Sequence, residues 1–153
     1  MNVDDPAMLD ILRRCMVARI ATLSCNGRPS INPLYFVCQS GRIWLGTSEW
    51  TLAARNVQAD ARVSVLFEVE QHMRSHRVLR ISGQASVRTE QQVQRSYALR
   101  VARKYLLTPG GIGNYLAHLR QLPSMHQYHA QSAEKGRACV IEVIPQTAEW
   151  LEL

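Results

Sequence analysis

The sequence predicts a mostly-β domain: an antiparallel sheet able to close into a barrel, with helices at its periphery. Three observations carry this. Short runs of alternating apolar residues recur along the chain. Tight-turn signals, rather than long crossovers, separate most of them. Stretches with helical period are few. The order reads α-β-β-β-α-β-β-α-α-β, which is the pattern of an antiparallel sheet. The 153 residues amount to one domain and are enough to bury a core without disulfide or metal staples.

Pro6 to Met16 reads as a helix, with Asp4 or Asp5 as cap and Pro6 in the first turn. Met8, Leu9, Ile11, Leu12, Cys15 and Met16 give it an apolar face. Val17 to Ser24 reads as a strand with Ala18, Ile20 and Thr22 on one side. Cys25-Asn26-Gly27 is a turn, because Asn-Gly accepts positive φ. Ser30 to Cys38 returns as the second strand, and Pro33 within it demands an edge or a bulge. Gln39-Ser40-Gly41 then turns the chain into a third strand, Arg42 to Thr47. The first third is thus expected to be a three-stranded meander.

Trp50 to Ala59 has helical composition, with Thr47 or Ser48 as cap and Asp60 as exit. Arg62 to Val69 alternates as a strand whose Val63, Val65, Phe67 and Val69 share a face. Glu70 to His76 is a polar loop. Arg77 to Val87 is a further strand, with a bulge at Gly83. Thr89 to Leu107 reads as a helix: Thr89 and Gln92 have capping-box spacing, and Val93, Tyr97, Val101 and Tyr105 form an apolar stripe. Gly113 to Gln121 suits a short helix, Leu122 to Gly136 has no period, Arg137 to Pro145 is a final strand and Ala148 to Leu153 a tail.

Hydrophobic residues make up 46% and charged residues 20%, which argues against disorder. No apolar run is long enough to span a bilayer, and the start of the chain lacks a basic, then apolar, leader. The expectation is a cytosolic protein with no membrane partner. Cys15, Cys25, Cys38 and Cys139 match no zinc spacing and are read as reduced and structural. The net charge is +6, and only Lys104 and Lys135 are lysines. Arginine suits bidentate grip on phosphate or carboxylate. These arginines are scattered rather than striped with aromatics, so a nucleic-acid partner is not expected and an anionic small molecule is.

Each candidate site in the sequence also has a plainer role. Pro109-Gly110-Gly111-Ile112-Gly113 follows a helix and lacks the lysine of a phosphate loop, so it reads as a helix-ending turn. His72 with His76, and His126 with His129, have spacings open to metal or haem iron, but no carboxylate or cysteine stands at matching distance. No nucleophile elbow or catalytic triad is legible. Asp4 with Asp5 suits a helix cap, and Glu68 with Glu70 the solvent face of a strand. The absence of an evident general acid or base favours a binder, or an enzyme whose cofactor carries the chemistry. Thr47 and Ser48, at a strand end just before a helix, suit a phosphate site that Arg55 and Arg19 could join.

One succession of segments adds to this. It runs Ala18-Arg19-Ile20-Ala21-Thr22-Leu23, Asn26-Gly27-Arg28-Pro29, Pro33-Leu34-Tyr35-Phe36, Ile43-Trp44-Leu45-Gly46-Thr47-Ser48 and Ala54-Arg55-Asn56-Val57. Asp60-Ala61-Arg62-Val63-Ser64-Val65 and Arg80-Ile81-Ser82-Gly83-Gln84-Ala85 follow. Over about residues 10 to 88 this resembles the pyridoxamine 5′-phosphate oxidase-like, flavin-binding split-barrel superfamily. The resemblance implies a six-stranded antiparallel split barrel, a homodimer, and FMN held at the subunit interface, with a deazaflavin or haem in some relatives. It places Asn32, Pro33, Leu34 and Tyr35 along the isoalloxazine ring, Thr47 and Ser48 at the ribityl chain and phosphate, and Arg77, Val78 and Leu79 on the strand that completes the site. Tyr35, Phe36, Trp44 and Trp50 are the aromatics available to enclose the ring. The family's phosphate-gripping Arg-Lys pair falls at Leu52 and Ala53, and Asn32 stands where the oxidase has arginine. The implied function is therefore a flavin-dependent oxidoreductase acting on a small molecule with a reductant, and not pyridoxamine-phosphate oxidase itself. The alternative is a non-catalytic, deazaflavin-binding or haem-binding split barrel.

Overall fold

A computed structural model describes residues 5–69, 77–106 and 136–152. The chain opens with α1 (Pro6–Arg14), capped by the Asp5 side chain, which accepts from the Ala7 N–H. Ile11 and Leu12 are buried against the sheet. β1 (Ala18–Leu23) and β2 (Pro29–Leu34) form a hairpin whose Gly27 has φ 74°, as the Asn-Gly signal requires.

The expected single strand from Ser30 to Cys38 is two strands. β2 pairs with β1 as far as Leu34. β3 (Phe36–Gln39) pairs instead with β4 (Arg42–Ser48). No three-stranded meander forms. The sheet runs β2-β1-β5-β6-β7-β4-β3, so β2 and β3 are its two edges, joined through Tyr35 alone. A sheet whose opposite edges are consecutive in the chain has to curl onto itself. Counting the bent β2–β3 as one strand recovers the six of the expected barrel. Pro33 lies on an edge, where its missing N–H costs nothing.

α2 (Leu52–Ala59) starts later than expected, and its cap is Thr51 rather than Thr47 or Ser48. β5 (Arg62–Phe67) buries Val63, Val65 and Phe67. β6 (Arg77–Arg88) and β7 (Ala138–Glu152) form the long central ladder. The expected tail from Ala148 is the continuation of β7. Pro145 does not break the strand, because it lies opposite Gly83 where the register shifts, and a bulge tolerates a residue without an N–H. A β-carbon at Gly83 would stand 2.1 Å from the Ile144 carbonyl oxygen, so glycine is needed there. α3 (Gln91–Leu106) follows β6.

The core has two layers. Inside the curl lie Ile20, Phe36, Leu45, Val65, Phe67, Leu79, Ile141 and Val143. Outside it, α3 lays Val93, Tyr97 and Val101 on Val37, Trp44 and Val140, the stripe expected from its period. All four cysteines are unpaired, with Cys15 and Cys139 buried and Cys25 and Cys38 exposed. No helix among the described residues is long and apolar enough to cross a membrane. The five histidines, Glu70, the Pro109–Gly113 cluster and the expected helix from Gly113 to Gln121 lie outside the described residues.

Glu142 is a charge set in an apolar strand, and its side chain is 5% exposed. Its carboxylate accepts from Trp44 Nε1 at 2.8 Å, Arg42 Nη1 at 2.8 Å and Arg88 Nη1 at 3.0 Å. Burial alone would raise its pKa, but the Trp44 hydrogen bond and the two arginines outweigh it and hold the carboxyl below its usual value of 4.5. A depressed carboxyl stabilises the fold fully above its unfolded value, and that stabilisation is lost as pH falls through the folded one. Glu142→Ala, which also strands a buried indole N–H, should lower the unfolding free energy by roughly 2–3 kcal/mol in urea titrations at neutral pH. Glu142→Gln should flatten the loss of stability below pH 4.5; an unchanged acid slope would place that sensitivity on another group.

Candidate functional site

β2 pairs only with β1 along its ladder and lies against both α2 and β4. Side chains of a strand alternate in direction, so the four expected ring-lining residues divide. Asn32 and Leu34 share the inner face with Ser30; Pro33 points outward, and Tyr35, at the bend after the strand, is 43% exposed. Leu34 packs on the core. Asn32 stands opposite Ile20, which is fully buried. The Asn32 Oδ1 atom is buried and has no hydrogen-bond partner among the described residues. An orphaned buried acceptor is costly, and it marks a place where a donor from a ligand belongs.

α2 is fixed beside this strand by a closed polar triad. The buried Asn56 donates from Nδ2 to Thr22 Oγ1 at 3.0 Å and to Ser30 Oγ at 3.1 Å, and the two hydroxyls meet at 3.0 Å. The turn from β4 into α2 is hydroxyl-built. Thr51 Oγ1 donates its single proton to the Ser48 carbonyl at 2.8 Å and caps the Ala54 N–H. Its contact with Thr47 Oγ1 at 2.9 Å must therefore be donated by Thr47. Thr47 thus shapes the turn and has no proton left for a phosphate. Ser48 contributes its carbonyl to the same turn.

Of the expected cations, Arg55 is exposed on α2, three residues after the exposed Leu52, while Ala53 is buried. Arg19 is held by Glu68 at 2.9 Å instead of reaching toward Thr47. Arg77 is exposed and lies over the Trp150 ring, whereas Val78 and Leu79 are buried. Arg77 pairs with Glu152, and Thr47 with Cys139, at opposite ends of the 15-residue β7. One chain therefore does not bring Arg77 and Val78 to Thr47 and Ser48. Two expected ring-enclosing aromatics are also committed elsewhere: Phe36 is fully buried in the inner core, and Trp44 lies under α3 with its N–H on Glu142. Tyr35 stays at the edge, 43% exposed.

Sequence reasoning missed α3's part in the site. The Tyr35 carbonyl accepts from the Gly46 N–H at 3.1 Å and from the Tyr97 hydroxyl at 3.2 Å. The Tyr35 ring meets Tyr105 edge-on at 4.9 Å. Burial pushes the Tyr97 phenol up to about 12, and Tyr105 is raised as well by burial, so both remain neutral at physiological pH. A β-carbon on Gly46 would stand 2.2 Å from the Tyr97 oxygen. The Asn56 triad was missed too, although Asn56 stood among the segments singled out. Among the described residues no cluster of His, Cys, Asp or Glu could hold a metal. Among the described residues the edge offers the Asn32 acceptor, the exposed Tyr35 and the Arg55 cation, which together suit a planar anionic ligand.

The profile of the family described as pyridoxamine 5′-phosphate oxidase matches residues 4–150. No curated protein matches the chain in sequence. Among solved structures, the conserved hypothetical protein Rv2991 of Mycobacterium tuberculosis is similar over 97% of this chain and 84% of its own, with TM-score 0.69 and 18% identity. An F420 reductase is similar over 92% of this chain and 94% of its own, with TM-score 0.62 and 17% identity. HutZ, the heme storage protein of Vibrio cholerae, is similar over 99% and 96%, with TM-score 0.67 and 16% identity. Identities this low show a shared fold and nothing further. The match over nearly the whole length, on a sheet that curls through its β2–β3 bend, makes the conclusion plain: this chain belongs to the pyridoxamine 5′-phosphate oxidase family of split barrels.

Proposed function

We propose that the protein binds a flavin-type cofactor, FMN or a deazaflavin, along β2 and acts as an oxidoreductase in which the cofactor carries the chemistry. The observation that supports this reading is the buried Asn32 acceptor without a partner. The pyrimidine edge of a flavin or deazaflavin offers an imide N–H, a donor of the kind Asn32 lacks, whereas the edge of a haem offers none. Asn32 would take that edge, Tyr35 would lie against the ring, and the α2 face that carries Arg55 would meet the phosphate. When bound, such a cofactor supplies two-electron transfer between a reductant and a small oxidised substrate. The chain's own residues orient the ring and keep water from its edge. Leu52 is apolar and Ala53 is buried where a phosphate-gripping pair would stand, which speaks against pyridoxamine-phosphate oxidase activity and for a weaker hold on phosphate.

The working unit on this reading is a homodimer. The β2 edge and the start of α2 expose Ile31 (61%), Tyr35 and Leu52 (45%), an apolar edge that a two-fold partner would cover. A second copy would also supply the Arg77–Val78 end that one chain holds away from Thr47. Size-exclusion with light scattering should give twice the chain mass; a stable monomer would remove the interface site.

Absorption titrations with FMN, a deazaflavin and haemin test the cofactor. A flavin-type ligand should bind and survive desalting. Asn32→Leu should weaken it roughly 5- to 100-fold, the effect of leaving a buried donor unpaired. A Soret band insensitive to Asn32→Leu would turn the assignment to haem, and no uptake of FMN or deazaflavin would reject it. Thr47→Val should cost about 1 kcal/mol of stability through the Thr51 turn while changing affinity for inorganic phosphate little; a large loss of phosphate affinity would restore Thr47 as a direct contact.

A further inference from the structure

The ligand edge is built by β2, β4 and α2, yet its corner is gripped from the other side by α3. Tyr35 is not a positive-φ residue, and neither glycine nor proline stands at 35 or 36, so nothing local dictates the change of strand there. Long-range bonds do. The Tyr105 hydroxyl accepts from the Phe36 N–H at 3.2 Å and lies 2.6 Å from the Met16 carbonyl and 3.1 Å from that of Phe36. Tyr97 binds the Tyr35 carbonyl and packs directly on Gly46, the residue before Thr47. Lys104 Nζ donates to the Leu12 and Phe36 carbonyls at 3.2 and 3.4 Å and lies 3.3 Å from the Phe36 ring centre. One face of α3 thus holds the backbone of both Tyr35 and Phe36.

We propose that Tyr97 and Tyr105 are positioning residues for ligand binding: through the Tyr35 carbonyl, the Phe36 amide and the Tyr35 ring they set how Tyr35 is presented at the β2–β4 edge. The proposal rests on reading that edge as the cofactor site. It makes α3 a control element, because a shift of α3 moves Tyr35. Neither tyrosine touches the ligand on this account, and the effect of each passes through residue 35.

The test uses full-length Tyr97→Phe, Tyr105→Phe and Tyr35→Ala proteins and the two double variants. In ligand-free protein, amide hydrogen exchange at Phe36 should speed up about tenfold in Tyr105→Phe, since its acceptor is gone. In FMN titrations followed by flavin emission, each Tyr→Phe change should weaken binding about three- to tenfold and raise the emission of bound flavin as Tyr35 loses contact with the ring. In the Tyr35→Ala background the same changes should add almost nothing, the non-additivity of residues that act through one another. Unchanged Phe36 exchange, or losses that add in full on Tyr35→Ala, would overturn the proposal while leaving the cofactor assignment in place. Wild-type protein that binds neither FMN nor a deazaflavin would remove the site and this proposal with it.

Discussion

At Tyr35 the chain leaves the β1 edge of the sheet, and one residue later it joins the β4 edge. Because those edges are otherwise the two free ends of the sheet, this single peptide step forces the curl, encloses the inner core and sets β2 against α2 and β4. Two phenol hydroxyls, a lysine amine and a glycine amide from elsewhere hold the step in place. Such bonds are modest singly, but here they satisfy backbone groups that neither ladder can reach. The bend thus decides both the closure of the barrel and the position of the β2 edge proposed to take the ligand.

Electrostatics play a different part in the two layers. Most ion pairs lie at the surface: Arg14 with Asp10, Arg62 with Asp60, Arg80 with Glu149 and Arg19 with Glu68. Exposed pairs of this kind contribute little, and they divide the arginines among local partners rather than gather them into a stripe. Among the described residues Glu142 is the exception. Its carboxylate ties β7 to Trp44 on β4 and to arginines on β4 and β6, so the sheet that carries α3 is locked by a charge with every strong donor in place.

A site without an acid, base or metal cluster among the described residues is coherent for a protein that lends its fold to a cofactor. In such a protein rigid strands would hold the contact atoms and the ligand would bring the reactivity. The family membership fits this arrangement. On the proposed reading, the apolar Leu52 and the buried Ala53 would leave the phosphate end of a cofactor more loosely held than its ring end.

The sequence by itself determined the local elements. Alternation placed Ala18, Ile20 and Thr22, and Val63, Val65 and Phe67, on buried faces. Asn-Gly marked the first hairpin, Gly83 the bulge, and the period of α3 its packing stripe, because each depends on residues a few positions apart. Tertiary structure decided what depends on distant partners. The split of the second strand at Tyr35 comes from bonds to Gly46, Tyr97 and Tyr105. The unbroken β7 comes from the bulge opposite Pro145, and the delayed start of α2 from Thr51's bonds in the turn. It also assigned Phe36 and Trp44 to the core and to Glu142, and it separated Arg77 from Thr47 by the length of a strand. Pattern in a sequence shows which way a side chain points within its own element. Which donor meets which acceptor is settled only when the sheet curls and brings residues many positions apart into contact.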